Sequence, residues 1–148
     1  MNQLNDNLRM ISSGPVPGRL HPEINSAATR QVADQIARAL EALDANITAV
    51  ACWMSPENLI LTFAVAETLG LSAVYLSEDE GLLYLSWDMP AARVGLIAAS
   101  SETPRKLQIA AQALAGSGHT CVAVAKLTQT DDNQDEFLTV RTLDASDR

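Results

Sequence analysis

The sequence predicts an α/β domain, a parallel central sheet with helices on its faces. Short apolar runs rich in branched residues, Ile47 to Cys52, Arg93 to Ala98 and Thr120 to Leu127, alternate with helical patterns along the chain. Parallel strands need crossovers of that kind, and such crossovers are right-handed. The runs are apolar on successive residues, as in strands covered on both faces. Two of the helices open on the same signal, Ser55-Pro56 and Thr103-Pro104, which supplies a hydroxyl cap and a first-turn proline.

Taken in order, residues 1–25 carry the densest punctuation, Ser13-Gly14-Pro15-Val16-Pro17-Gly18 and His21-Pro22, and read as an extended N-terminal arm. From Ser26 to Leu43, Ala28, Val32, Ala33, Ile36, Ala39, Leu40 and Leu43 recur at spacings of three and four between charged residues, the pattern of an amphipathic helix. Asp44-Ala45-Asn46 ends it before the first buried strand. The helix that Ser55-Pro56-Glu57 opens runs through an apolar stretch to Gly70. Ala73 to Ser77 and Leu82 to Trp87 are two short strands whose link, Glu78-Asp79-Glu80-Gly81, has hairpin length. Pro90 precedes the strand Arg93 to Ala98. The helix after Thr103-Pro104 has an apolar face of Leu107, Ala110, Ala111 and Leu114 and stops at Gly116 and Gly118. Thr120 to Leu127 is a further buried strand. Phe137, Val140 and Leu143 suit an antiparallel edge strand across the turn Asp131-Asp132-Asn133-Gln134-Asp135. The organisation is therefore an arm over 1–25, one domain over 26–130, and an acidic C-terminal segment over 131–148.

With 148 residues, 47% of them apolar, a single core forms without disulfides or metal. The formal net charge is −8 and the pI about 4.5. The basic residues are scattered singly apart from Arg105-Lys106, which argues against a nucleic-acid partner. No apolar stretch approaches the length of a membrane span, and the first residues lack the apolar core of a secretory signal, so a cytoplasmic protein with no membrane partner is expected. Cys52 and Cys121 lie in separate apolar runs with no histidine cluster near them, as buried reduced thiols would; no metal site is expected. The excess acid of residues 131–148 reads as a solvated tail.

Ligands of open α/β sheets bind at the carboxyl ends of strands, here the loops after Cys52, Ser77 and Ala98. The run Val94-Gly95-Leu96-Ile97-Ala98-Ala99-Ser100-Ser101-Glu102-Thr103-Pro104-Arg105-Lys106, then a helix, Gly116-Ser117-Gly118 and Val122-Ala123-Val124-Ala125, resembles the core of the type I phosphoribosyltransferases. Within that family the pattern is most similar to the orotate branch, to which Arg19-Leu20-His21-Pro22-Glu23 and Leu71-Ser72-Ala73-Val74-Tyr75 also correspond. The resemblance spans roughly residues 18 to 128. It implies a type I phosphoribosyltransferase-like fold with a hairpin insertion and a homodimer formed through the arm and the Ser26 to Leu43 helix.

The family's hallmark is a strand ending in two carboxylates that grip the ribose hydroxyls of phosphoribosyl pyrophosphate (PRPP), then a Thr-Thr-Gly-Gly-Ser loop that wraps the 5'-phosphate. The resemblance puts the two carboxylate positions on Ala98 and Ala99, whose methyls accept no hydrogen bond. The loop falls on Glu102-Thr103-Pro104-Arg105-Lys106, where Pro104 lacks an N–H and Glu102 repels phosphate. The pyrophosphate loop falls on Trp53-Met54-Ser55-Pro56, with two bulky side chains. The catalytic hairpin loop falls on Glu78 to Ala92, which has no basic residue and four acidic ones, Glu78, Asp79, Glu80 and Asp88; at about 4 Å and an effective dielectric of 20 a like-charge contact costs about 4 kcal/mol.

The resemblance therefore implies a degenerate PRPP motif. The expectation is a pseudoenzyme with no catalytic residues and no cofactor, retained as a binding, regulatory or structural homodimer. Arg105 and Lys106 open a helix, where its dipole disfavours cations by about 0.3–1 kcal/mol. Ser100, Ser101, Thr103, Arg105 and Lys106 are accordingly the candidate anion site, for a phosphate-containing small molecule. The alternative is an active, magnesium-dependent phosphoribosyltransferase or nucleotide-binding enzyme with a rewired site at Ser100 to Lys106. His21 and His119 lack a nucleophile pattern nearby, and Trp53 and Trp87 suit a core or an interface.

Overall fold

Asn25 begins the first helix by capping it, its side-chain oxygen accepting from the Ala28 N–H at 3.0 Å. The computed structural model describes residues 25–99, 103–127 and 138–143, together with Asp6, Asn7, Ile11 and Pro22. Helix α1 (Ser26–Ala42) buries Ala28, Val32, Ala33, Ile36 and Leu40, the stripe its periodicity predicts. Strand β1 (Ala49–Trp53) is buried along its whole length. Helix α2 (Pro56–Leu69) is capped by Ser55 and ends at Gly70, with φ 67° and ψ 33°. An added Cβ at Gly70 meets nothing within 4 Å, so the cost of Gly70→Ala is purely that of a left-handed backbone. We expect it to lower the unfolding free energy by about 1–2 kcal/mol, read from the denaturant midpoint at unchanged slope.

Strands β2 (Ser72–Asp79) and β3 (Leu82–Leu85) form the hairpin. Because β2 runs on to Asp79, the connection shrinks from the expected four residues to Glu80 and Gly81, with φ of 52° and 80°. Two successive positive φ values make the mirror-image turn whose twist matches the strands. Strand β4 (Arg93–Ala98), helix α3 (Pro104–Gly116) and strand β5 (Thr120–Leu127) follow, and β6 (Leu138–Thr142) closes the sheet. The strand order is β3-β2-β1-β4-β5-β6. The four inner strands are parallel and both edges antiparallel. The edge strand expected around Val140 is thus present as β6, while Phe137 and the Asp131 to Asp135 turn lie outside the described residues.

Side-chain alternation divides the core between the two faces of the sheet. Val50, Ile97, Ala123, Ala125 and Leu127 pack under α1 and α2. Ala51, Trp53, Leu76, Leu96 and Val124 pack under α3 with Ala111 and Leu114. Within the stretch read as an extended arm, the described residues Asn7, Ile11 and Pro22 are buried. Ile11 is fully buried in the first core, and Asn7, also buried, donates from its side chain to the Gln31 side-chain oxygen at 2.8 Å. An apolar side chain the size of isoleucine gains from burial whatever the punctuation around it.

Candidate functional site

The chain leaves β1 through α2 to reach β2 on one side, and leaves β4 through α3 to reach β5 on the other, the two helices lying on opposite faces. Adjacent strands β1 and β4 thus form the switch point of the sheet, and the crevice beyond their carboxyl ends is where open α/β sheets hold ligands. The described residues at its walls are Trp53 to Ser55 on one side and Ala99 and Thr103 on the other.

Asn58, 1% exposed, links these walls. Its side-chain N–H donates to the Trp53 carbonyl at 3.0 Å, and its side-chain oxygen accepts from the Ala99 N–H at 2.8 Å. Ser55 holds the residue in place by accepting from the Asn58 N–H at 3.2 Å. Trp53, 7% exposed, crosses to the start of α3, where its indole N–H donates to the Lys106 carbonyl at 3.0 Å. The Lys106 ammonium lies 5.1 Å from the centre of the same ring, a cation–π contact. One side chain therefore occupies the space between the end of β1 and the first turn of α3, and a second ties the two loops together.

Ala98 and Ala99, at the carboxyl end of β4, are both buried, 0% and 1% exposed. Thr103 accepts from the Lys106 N–H at 3.1 Å as the cap of α3. Arg105 turns to the far flank of α3, beside Lys126 and Arg141, because consecutive helical residues point about 100° apart. The structure thus does not bring Arg105 and Lys106 to one point. Ser100 and Ser101 lie outside the described residues. His21 also lies outside them, whereas His119 is buried and accepts from the Ala92 N–H at 3.2 Å through Nδ1, a structural bond between strand ends. Cys52 and Cys121 are buried free thiols. Among the described residues no group of three or more His, Cys, Asp or Glu is placed to hold a metal, and no helix is long and apolar enough to cross a membrane.

The organising role of Asn58 was not drawn from the sequence, although a signal existed: it is an amide directly ahead of the apolar run Leu59-Ile60-Leu61, and a buried amide there must find partners.

The fold is the mixed α/β architecture of the type I phosphoribosyltransferases, with a six-stranded sheet and helices on both faces. Among solved structures, adenine phosphoribosyltransferase from Trypanosoma brucei, in complex with AMP, pyrophosphate and ribose-5-phosphate, superposes with a TM-score of 0.62 at 16% identity, covering 86% of this chain and 67% of that one. Adenine phosphoribosyltransferase from Thermoanaerobacter pseudethanolicus gives 0.60 at 15%, covering 84% and 86%. UMP synthase from Leishmania donovani gives 0.63 at 16%, covering 84% of this chain and 30% of its own. No protein-family model and no curated protein sequence matches the chain.

Proposed function

We propose that this chain is a phosphoribosyltransferase-like protein that has lost PRPP-dependent transfer and acts as a binding, regulatory or structural homodimer. The observation that carries the reading is Trp53, whose buried indole spans from β1 to the Lys106 carbonyl across the crevice where a phosphoribosyl group would enter a fold of this kind. Buried Ala98 and Ala99 support it: a carboxylate introduced there would be cut off from water at heavy cost. The Glu80-Gly81 turn supports it as well, since a two-residue hairpin carries no long catalytic loop. The orotate-like pattern of Leu71 to Tyr75 belongs to this reading as its nearest branch, and no cofactor is required.

The homodimer is supported by exposed apolar side chains: Ile60 and Phe63 on α2, and Leu82, Tyr84 and Trp87 around β3. Apolar patches of this sort commonly mark interfaces. The outer face of α1 is polar, with Arg30 paired to Glu67 of α2 at 3.1 Å, so we assign the dimer contact to the apolar patches rather than to α1.

The test is a PRPP assay with magnesium and orotate, adenine, guanine or uracil as acceptor. We expect no pyrophosphate release and no thermal shift with PRPP, where a ligand at 100 times its Kd would add about 2.7 kcal/mol of stability. Magnesium-dependent pyrophosphate release that Arg105→Ala slows would overturn the reading and establish the rewired enzyme.

A further inference from the structure

Strand β3 ends the sheet, and among the described residues it has a neighbouring strand on one side only. The two-residue turn fixes which backbone groups it offers. Asp79 pairs with Leu82 next to the turn, so Leu82 and Tyr84 direct their N–H and C=O groups toward β2. The Ser86 N–H continues that row, donating to the Tyr75 carbonyl at 2.9 Å. The peptide groups of Leu83 and Leu85 therefore point outward, as the alternation of an antiparallel ladder requires.

Edges of this kind are normally blunted by lysine, proline or a bulge. Here the register runs unbroken from the Leu76 and Leu85 pair to the Asp79 and Leu82 pair. All four residues of β3 are apolar, so both of its faces are, and Leu82 and Tyr84 are 60% and 48% exposed. Trp87, also exposed, donates its indole N–H to the Ala73 carbonyl at 2.8 Å. That bond holds a large aromatic surface in place beside the strand, where an incoming partner would not have to order it.

Charge decides the kind of partner. Residues 39–92 hold eight carboxylates and no lysine or arginine, so this stretch carries the whole net charge of −8. Four of the eight, Glu78, Asp79, Glu80 and Asp88, flank β3 at its two ends and are exposed. A two-fold contact through this edge would set the carboxylates of one copy against those of the next. The homodimer contact proposed above therefore falls to Ile60 and Phe63 of α2, and the edge is left to a different, basic partner.

We propose that β3 receives an extended apolar segment of another protein, flanked by lysine or arginine, as a further strand of the sheet. The outward peptide groups of Leu83 and Leu85 set its register, its apolar side chains cover both faces of the edge, and its flanking cations meet the four carboxylates. The inference goes beyond loss of PRPP transfer and does not depend on it. PRPP turnover tests one, and peptide titration tests the other.

The experiment is calorimetric titration of the whole chain with the peptide Lys-Lys-Ile-Val-Ile-Val-Lys-Lys. Its controls are the same peptide with glutamate for lysine, with a Gly-Ser-Gly-Ser core, and with all four core peptide nitrogens methylated. Saturable binding of the first peptide at one site per chain is expected, weakening as salt is raised. Each control removes the charge match, the apolar cover or the strand hydrogen bonds, and each should bind about tenfold more weakly or worse. Leu83→Pro deletes an outward N–H while sparing the ladder to β2, and should weaken the peptide about tenfold or more. Leu83→Lys, which places a cation on the edge, should do the same and serves where the proline alters the circular dichroism. In sedimentation Leu83→Pro should leave the oligomeric state unchanged, whereas Phe63→Ser tests the dimer separately. No saturable binding of the lysine peptide at millimolar concentration overturns the proposal. So does equal affinity for any control, or an affinity that a folded Leu83 variant retains. Dissociation of the homodimer by Leu83→Pro would overturn it too, by showing that a second copy holds the edge.

Discussion

Trp53→Ala should lower the unfolding free energy by about 3–5 kcal/mol, the range for truncating a buried aromatic side chain. The indole is 7% exposed and packs in the core under α3 with Leu76, Leu96 and Met89. Its removal leaves a cavity at the mouth of the switch point and takes away the indole N–H that donates to the Lys106 carbonyl. At about 2–4 °C per kcal/mol for a domain of this size, differential scanning calorimetry should record a fall in Tm of about 10 °C. Trp53→Phe separates the contributions: it keeps an aromatic ring against the Lys106 ammonium but loses the N–H, at a cost of about 1 kcal/mol for the hydrogen bond alone plus the unfilled part of the indole volume. If Trp53→Ala were as mild as Trp53→Phe, the indole would not be a structural closure of the crevice, and the main support for an inactive site would fall with it.

Asn58→Ala should cost about 2–4 kcal/mol, because it removes the partner of two buried backbone groups at once, each worth about 1–3 kcal/mol when left unsatisfied. Those groups are the Trp53 carbonyl and the Ala99 N–H. Asn58→Leu is the informative companion. It fills the volume but restores neither hydrogen bond, so its Tm should stay close to that of Asn58→Ala. Recovery of most of the lost stability in Asn58→Leu would mean that packing, not the amide bridge, joins the two loops. In either variant, loss of the bridge should also raise hydrogen exchange at the Ala99 amide ahead of the central strands, since local opening follows the weakest contacts.

Most of the fold was legible because its signals are local. Ser55 and Thr103 cap α2 and α3 as their positions before proline predict, Gly70 takes the left-handed turn that only a residue without Cβ adopts freely, and the stripe of α1 is set by its own periodicity. The parallel inner sheet followed from alternation and the handedness of crossovers, with no knowledge of any contact. The sequence by itself thus determined the class of fold, the elements and the loops at which a site would form.

The chemistry of those loops was decided by tertiary structure. Trp53 meets Lys106 across 53 residues of chain, and Asn58 meets Ala99 across 41; no periodicity or cap records either pairing. Arg105 and Lys106, adjacent in sequence and read together as one anion site, part company because the helix turns one toward β5 and β6 and the other onto the Trp53 ring. Lys126 and Arg141 become neighbours only through the register of β5 against β6, and Ile11 shows its place only once there is a core to enter. Local sequence sets backbone conformation through sterics and hydrogen bonds a few residues long. Which distant side chains then share a cleft depends on how the finished elements pack, and that geometry exists only in the folded chain.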